Sequence, residues 1–178
     1  MRIVIADTGP LNYLVLIGLA NLLPTLFEKV LVPTAVYREL TACKAPAQVR
    51  LWLASNPQWL IVHNETPGNE TPGNETQSEL AADPIQTIDA GEAQAIQLAI
   101  FLNADLLLMD DRRGIKVAKS KGLRVTGTLG LLDIAAESNL VDFERAVQLL
   151  EQTNFRRPRD ILDVLLAKHR KPLGPSST

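Results

Sequence analysis

Asp7, Glu39, Glu92 and the pair Asp110-Asp111 each stand where an apolar run gives way to a helical pattern. Asp7 closes the run Ile3-Val4-Ile5-Ala6. Glu39 lies in Pro33-Thr34-Ala35-Val36-Tyr37-Arg38-Glu39-Leu40, just after Val30-Leu31-Val32. Glu92 opens a helical stretch in Asp89-Ala90-Gly91-Glu92-Ala93, and Asp110-Asp111 ends Leu106-Leu107-Leu108-Met109. Parallel strands bring their carboxyl ends to one edge, where α/β proteins build their sites. Carboxylates gathered there repel one another unless a cation neutralises them. Such a set points to divalent-metal chemistry.

Each acid also has a plain structural reading. Asp89 and Glu92 have the spacing of a capping box. Asp111 suits the N-cap of a helix from Arg112, and Asp7 that of a helix entered through Pro10. Glu39 could pair with Arg38 or Lys44 on a solvated face. Singly these roles suffice; jointly they weaken, because caps are usually isolated whereas these acids can converge on one sheet edge.

Positioning them requires alternating strands and helices. Strands are expected at 2–6, 30–32, 59–62, 106–109 and 123–125. Helices are expected from Leu11, in two short pieces to about 28, then at 34–42 with Thr34 as N-cap, 46–55, 90–102, 112–121, from the Thr126–Gly130 segment to about 138, 142–153 and 158–169. Alternation of this kind gives a mainly parallel sheet of four or five strands. Between Asn64 and Ile85 the motif Asn-Glu-Thr-Pro-Gly repeats, a polar stretch that reads as a long loop. Its sequons read as loop chemistry. The expected organisation is one domain over 1–154, with the insertion at about 63–86, then a C-terminal helix and frayed tail over 155–178.

Composition narrows the chemistry. The chain has 178 residues, 46% hydrophobic but only 4% aromatic, so its core must be aliphatic. A single cysteine, Cys43, excludes an internal disulfide and a cysteine-cluster zinc site. It reads as a small hydrophobe near a helix end. Two histidines, His63 and His169, in loop-like and tail-like contexts leave oxygen donors, and hence a hard ion, as the metal chemistry. A net charge of −2 gives no global attraction to nucleic acid, so any such binding must be local. No apolar run reaches the ~18 residues of a membrane span. With no leader-like segment, the expected location is the cytoplasm.

From Ile3 to about Leu150 the chain resembles the PIN-domain nucleases. The segment Ile3-Val4-Ile5-Ala6-Asp7-Thr8-Gly9-Pro10-Leu11 is similar to that family's first strand and metal-binding Asp. The segment from Val32 to Leu40 is similar to the one carrying its second acid, Gly91-Glu92-Ala93-Gln94-Ala95-Ile96 to the third, and Leu107-Leu108-Met109-Asp110-Asp111 to the fourth. Glu92 stands where most members have Asp. Thr126-Gly127-Thr128-Leu129-Gly130-Leu131-Leu132 resembles a block of one PIN subgroup. The doubled aspartate leaves the fourth ligand open: strand alignment favours Asp111, and the subgroup leaves Asp110.

The resemblance implies a three-layer α/β/α fold and phosphodiester hydrolysis in RNA, or less readily in DNA. One or two Mg²⁺ or Mn²⁺ ions would be held by Asp7, Glu39, Glu92 and Asp110 or Asp111. It also implies a toxin of a toxin–antitoxin pair, an antitoxin protein as partner, and a homodimer. Thr8 could bond a ligand or phosphate, or serve only as a turn hydroxyl. Asp133 and Glu137 could add charge around the metal or form an exposed face. Arg112, Lys116 and Lys119 share a helical face beside the aspartate pair and would hold phosphates, or merely be solvated; Arg113, Lys121 and Arg124 widen the patch. The run Arg156-Arg157-Pro158-Arg159 could bind RNA or a protein. Rival readings are a nucleic-acid-binding module that has lost catalysis, or another metal-dependent phosphate hydrolase. Nucleotide-binding loops of the G-x-x-x-x-G-K-[ST] or G-x-G-x-x-G type are absent from the sequence.

Overall fold

A computed structural model describes residues 2–64, 84–156 and 159–169. Compact units comprise Met1–Thr128 and Leu129–Thr178. Most of the long repeat-bearing loop, and the chain end expected to fray, lie outside the described residues.

The first unit is built on a five-stranded, all-parallel sheet in the order β3-β2-β1-β4-β5. Its strands are β1 (Val4–Ala6), β2 (Val30–Pro33), β3 (Leu60–His63), β4 (Leu106–Leu108) and β5 (Val125–Thr126). Helices α1 (Thr8–Leu16), α2 (Leu22–Phe27), α3 (Thr34–Thr41), α4 (Ala47–Ala54), α5 (Ala90–Phe101) and α6 (Arg112–Ser120) connect them, giving the α/β/α PIN-like arrangement. Parallel neighbours need crossovers, and a crossover helix must start at the sheet's carboxyl edge to return the chain. That rule brings the first turn of α5 to the same edge as the ends of β1 and β4.

Register fixes the edge more closely. Ala6 pairs with Leu108, and Leu108 with Thr126, so the residues that follow, Asp7, Met109 and Gly127, leave the sheet together. Ile5, Leu107, Met109, Ile96, Leu98 and Ala118 pack into one buried cluster between sheet and helices. Each large side chain buried there contributes roughly 1.5–3 kcal/mol, enough to hold the edge rigid beneath the acids.

Some expected boundaries shift, with identifiable causes. Asp7 is extended (φ −82°, ψ 168°) and α1 begins at once with Thr8, so Pro10 is its third residue, not its first. Pro33, not Thr34, occupies the N-cap of α3. Strand β5 begins late because Gly122 (φ 81°) and the Leu123 N–H, which donates to the Ala118 carbonyl, are still closing α6. A 3₁₀ turn at Pro84–Thr87 overlaps the end of the stretch read as loop. His63 ends a strand, and Cys43 is exposed rather than packed.

The second unit contains α7 from Leu129 onward (α7 spans Thr128–Glu137), α8 (Phe143–Glu151) and α9 (Arg159–His169). Here Asp133 meets Lys168 at 2.7 Å and His169 at 2.6 Å, while Glu137 meets Lys168 at 2.7 Å. His169 stacks on Phe143. Asp133 and Glu137 thus tie α9 to α7; Glu137 does so from an exposed face, as one of the readings above had it, whereas Asp133 is half-buried. No helix among the described residues is long and apolar enough to cross a membrane.

Candidate active site

The connections from β1 and β4 diverge in this strand order, which opens a crevice at the carboxyl edge between them. Asp7 stands at its centre. Its N–H donates to the Leu108 carbonyl at 2.9 Å, continuing the ladder, and its side chain is buried. Burial, above all, pushes this carboxyl up to about 6. The Thr8 and Gly9 amides oppose the rise, and the charges of Glu39 and Asp110 add to it.

Glu39 reaches the crevice from α3, whose buried residues are Val36 and Leu40. The Thr8 hydroxyl donates to Glu39 Oε2 at 2.5 Å. That proton is therefore directed at a carboxylate, not at a phosphate, and Glu39 is not a solvated residue paired with Arg38 or Lys44. The carboxylate lies over Gly91: a Cβ there would come within 2.5 Å of Glu39 Oε1. Helix α3 is itself anchored, since the Ala35 N–H donates to Gln94 Oε1 at 3.1 Å. One short stretch of α5 thus leaves space for Glu39 and steadies the helix that carries it.

Glu92 is half-buried in the first turn of α5, and its carboxyl is pushed up to about 7. Burial leads, followed by the charges of Asp111, Asp7 and Asp89, with the Asp89 amide opposing. Asp89 occupies the N-cap place, yet its side chain closes no capping hydrogen bond. The expected capping box is not completed from that side.

The two aspartates after β4 divide their work. Asp111 caps α6: its Oδ1 accepts the Arg113 N–H at 2.7 Å and the Gly114 N–H at 3.0 Å. Asp110 is clamped by Thr128, whose N–H donates to Oδ1 at 2.7 Å and whose hydroxyl donates to Oδ2 at 2.6 Å. Burial raises the Asp110 carboxyl, and these two bonds oppose the rise. A Cβ on Gly127 would approach Asp110 Oδ1 to 2.6 Å, so glycine is what lets the clamp close. Sequence reading overlooked Gln94, Gly91 and Thr128 as positioning residues. Only the Thr-Gly-Thr signal at a helix start hinted at Thr128, because its partner lies 18 residues away.

Helix α6 begins at Asp111 and buries Gly114, Val117 and Ala118. Arg112, Lys116 and Lys119 are exposed on it, as are Arg113 and Lys121; Arg124, beyond the helix, is exposed too. Arg156 is exposed, while Arg157 and Pro158 lie outside the described residues. On the other side of the crevice, a cleft of about 560 Å³ runs from Thr8 and Glu39 to Asn12, Lys44 and Asp89, with Leu40, Ala45 and Pro46 in its walls.

An all-oxygen donor set is the chemistry of a hard divalent ion. The carboxyls of Asp7 and Glu92 are raised chiefly by burial and further by neighbouring carboxylates, and a bound cation would favour their charged forms. Among the described residues no three candidate donors already form a ligating cluster, so the acids ring the crevice without a closed shell. The residues present fit a divalent cation in charge and donor type.

Fold and site together define an α/β/α domain with an acidic crevice at the switch point of a parallel sheet. The family model described as DUF3368, a PIN domain, matches residues 3–171, and the chain belongs to the PIN-domain family. PIN domains are generally nucleases, and PIN nucleases generally use divalent metals. No curated protein matches the chain.

Proposed function

We propose that this chain is a divalent-metal-dependent endoribonuclease. The observation that carries the reading is the placement of Asp7, Glu39, Glu92 and Asp110 about one sheet edge, where burial, with the charges of Glu39 and Asp110 adding to it, lifts the Asp7 carboxyl to about 6. Asp7, Glu39 and Glu92, with Asp110 or Asp111, would hold Mg²⁺ or Mn²⁺. When bound, such an ion polarises the phosphodiester and activates water.

The chain's own residues supply position. Thr8 orients Glu39, Thr128 orients Asp110, and the Asp111 cap fixes the start of α6 so that Arg112 begins a cationic face next to the crevice. That face would bind backbone phosphates without reading sequence. A toxin role, with a neutralising antitoxin and a homodimer, belongs to the same proposal; growth arrest on expression, relieved by Asp7→Asn, is its expected sign.

The engagement of Asp110 and Asp111 in hydrogen bonds supports a second reading, a binding module without catalysis. Calorimetry with Mn²⁺ separates the two. Binding lost in Asp7→Asn, together with metal-dependent RNA cleavage by the wild type, supports the nuclease; absence of both supports the module.

A further inference from the structure

The cleft between α1, α3 and the start of α5 has no assigned role beyond Thr8 and Glu39 at its inner end. Asn12, Lys44 and Asp89 line it, and none of these side chains has a hydrogen-bond or ion-pair partner among the described residues. Asp89 is the telling member. It stands at the N-cap of α5, its carboxylate makes no cap bond, and the residue lines the cleft. Leu40, Ala45 and Pro46 give the cleft apolar wall, and its volume of about 560 Å³ lies within the roughly 300–1,000 Å³ of small-ligand sites. At its inner end are Thr8 and Glu39, hence the acidic crevice.

A site with apolar walls, a carboxylate, an amide and an ammonium is complementary to a nucleobase. The face of a base would lie on the walls, and its edge would meet the polar groups. Single-stranded RNA offers such edges unpaired. The carboxylate discriminates among bases. Guanine presents two adjacent donors, N1–H and the N2 amine, to one carboxylate, and O6 and N7 accept from an ammonium or amide. Uracil and cytosine lack the paired donors, and adenine has a single exocyclic amine flanked by acceptors.

We propose that this cleft seats one base of a single-stranded RNA beside the scissile phosphate, and that Asp89 selects guanine there. The inference rests on the ribonuclease reading for its substrate class, but binding tests it without cleavage. The probe is a labelled oligouridylate with one central guanosine, compared with the same oligomer carrying inosine, which lacks the N2 amine. Anisotropy is measured in EDTA, so that nothing is cut.

Wild-type protein should bind the guanosine oligomer roughly tenfold more tightly, since a carboxylate–base hydrogen bond discriminates by that order. Asp89→Ala should bind both oligomers alike, whereas Lys44→Ala should weaken both while keeping the preference. Asp89→Asn, a residue equally suited to an N-cap, provides the folded comparison if the alanine variant is unstable. No preference in the wild type, or one that survives in Asp89→Ala, overturns the inference. Mn²⁺-dependent cutting of the same oligomers without base preference would remove the pocket and leave the ribonuclease standing. Neither binding nor cutting by folded protein would remove both.

Discussion

Glu39 is held from two sides, by the Thr8 hydroxyl at Oε2 and by the absence of a side chain at Gly91 beneath Oε1. This arrangement predicts an uncoupling of stability from activity. In Gly91→Ala the new methyl meets the far end of a flexible side chain, so Glu39 swings away and the fold survives. Alanine also improves the helix by up to about 1 kcal/mol relative to glycine. Urea unfolding should therefore show unchanged or higher stability, while metal-dependent cleavage falls at least about tenfold, as when groups that orient metal ligands are removed. Wild-type activity in this variant would show that Glu39 need not occupy its observed place. At this scale the acids themselves were legible, because an acid ending an apolar run stands out against its neighbours. Their supports were not. Gln94 acts across 59 residues on Ala35, and Thr128 across 18 on Asp110; neither leaves a local pattern. The ambiguity between Asp110 and Asp111 had the same origin, since adjacent carboxylates look alike until one is seen capping α6 and the other clamped by Thr128.

Strands and helices were read from periodicity, and their order was recoverable because buried parallel strands are short apolar runs bounded by helix starts. The boundaries that moved did so where backbone closure overrides composition. Leu123 is apolar enough for a strand, but its N–H is still used by α6 through Ala118. The cationic face of α6 was legible for a simple reason: Gly114, Val117 and Ala118 are its buried side, which leaves Arg112, Lys116 and Lys119 exposed. Replacing these three by alanine should weaken binding of single-stranded RNA. It should also flatten the dependence of log K on log salt by up to about 2, at roughly 0.7 for each phosphate no longer neutralised. Far-UV circular dichroism should be unchanged. An unaltered slope would leave the three as solvated charges.

For the molecule as a whole, the buried carboxyls of the crevice are a thermodynamic liability that a bound cation would relieve. Folding raises the Asp7 carboxyl from the ordinary 3.8 to about 6. A carboxyl raised on folding favours the native state most below its unfolded value, and that contribution is lost as pH rises through the folded value. The loss expected between pH 4 and pH 7 is about 2 kcal/mol for this buried group. In EDTA, the urea midpoint should thus be lower at pH 7 than at pH 5, beyond the difference seen in Asp7→Asn. Added Mn²⁺ should stabilise the protein more at pH 7 than at pH 5. Equal pH dependence in wild type and Asp7→Asn would mean that Asp7 is not the strained group. Sequence alone could place an acid at a strand end, but the burial and convergence that raise it come from register, Ala6 against Leu108 and Leu108 against Thr126.

The most direct test of a carboxylate-metal ribonuclease is cleavage of a mixed RNA panel by the full chain with Mn²⁺, beside Asp7→Asn and an EDTA control. Wild-type protein should cut, EDTA should abolish cutting, and Asp7→Asn should be slower by more than about a hundredfold with its circular dichroism intact. Cutting at the wild-type rate by Asp7→Asn, or cutting that persists in EDTA, would contradict the account.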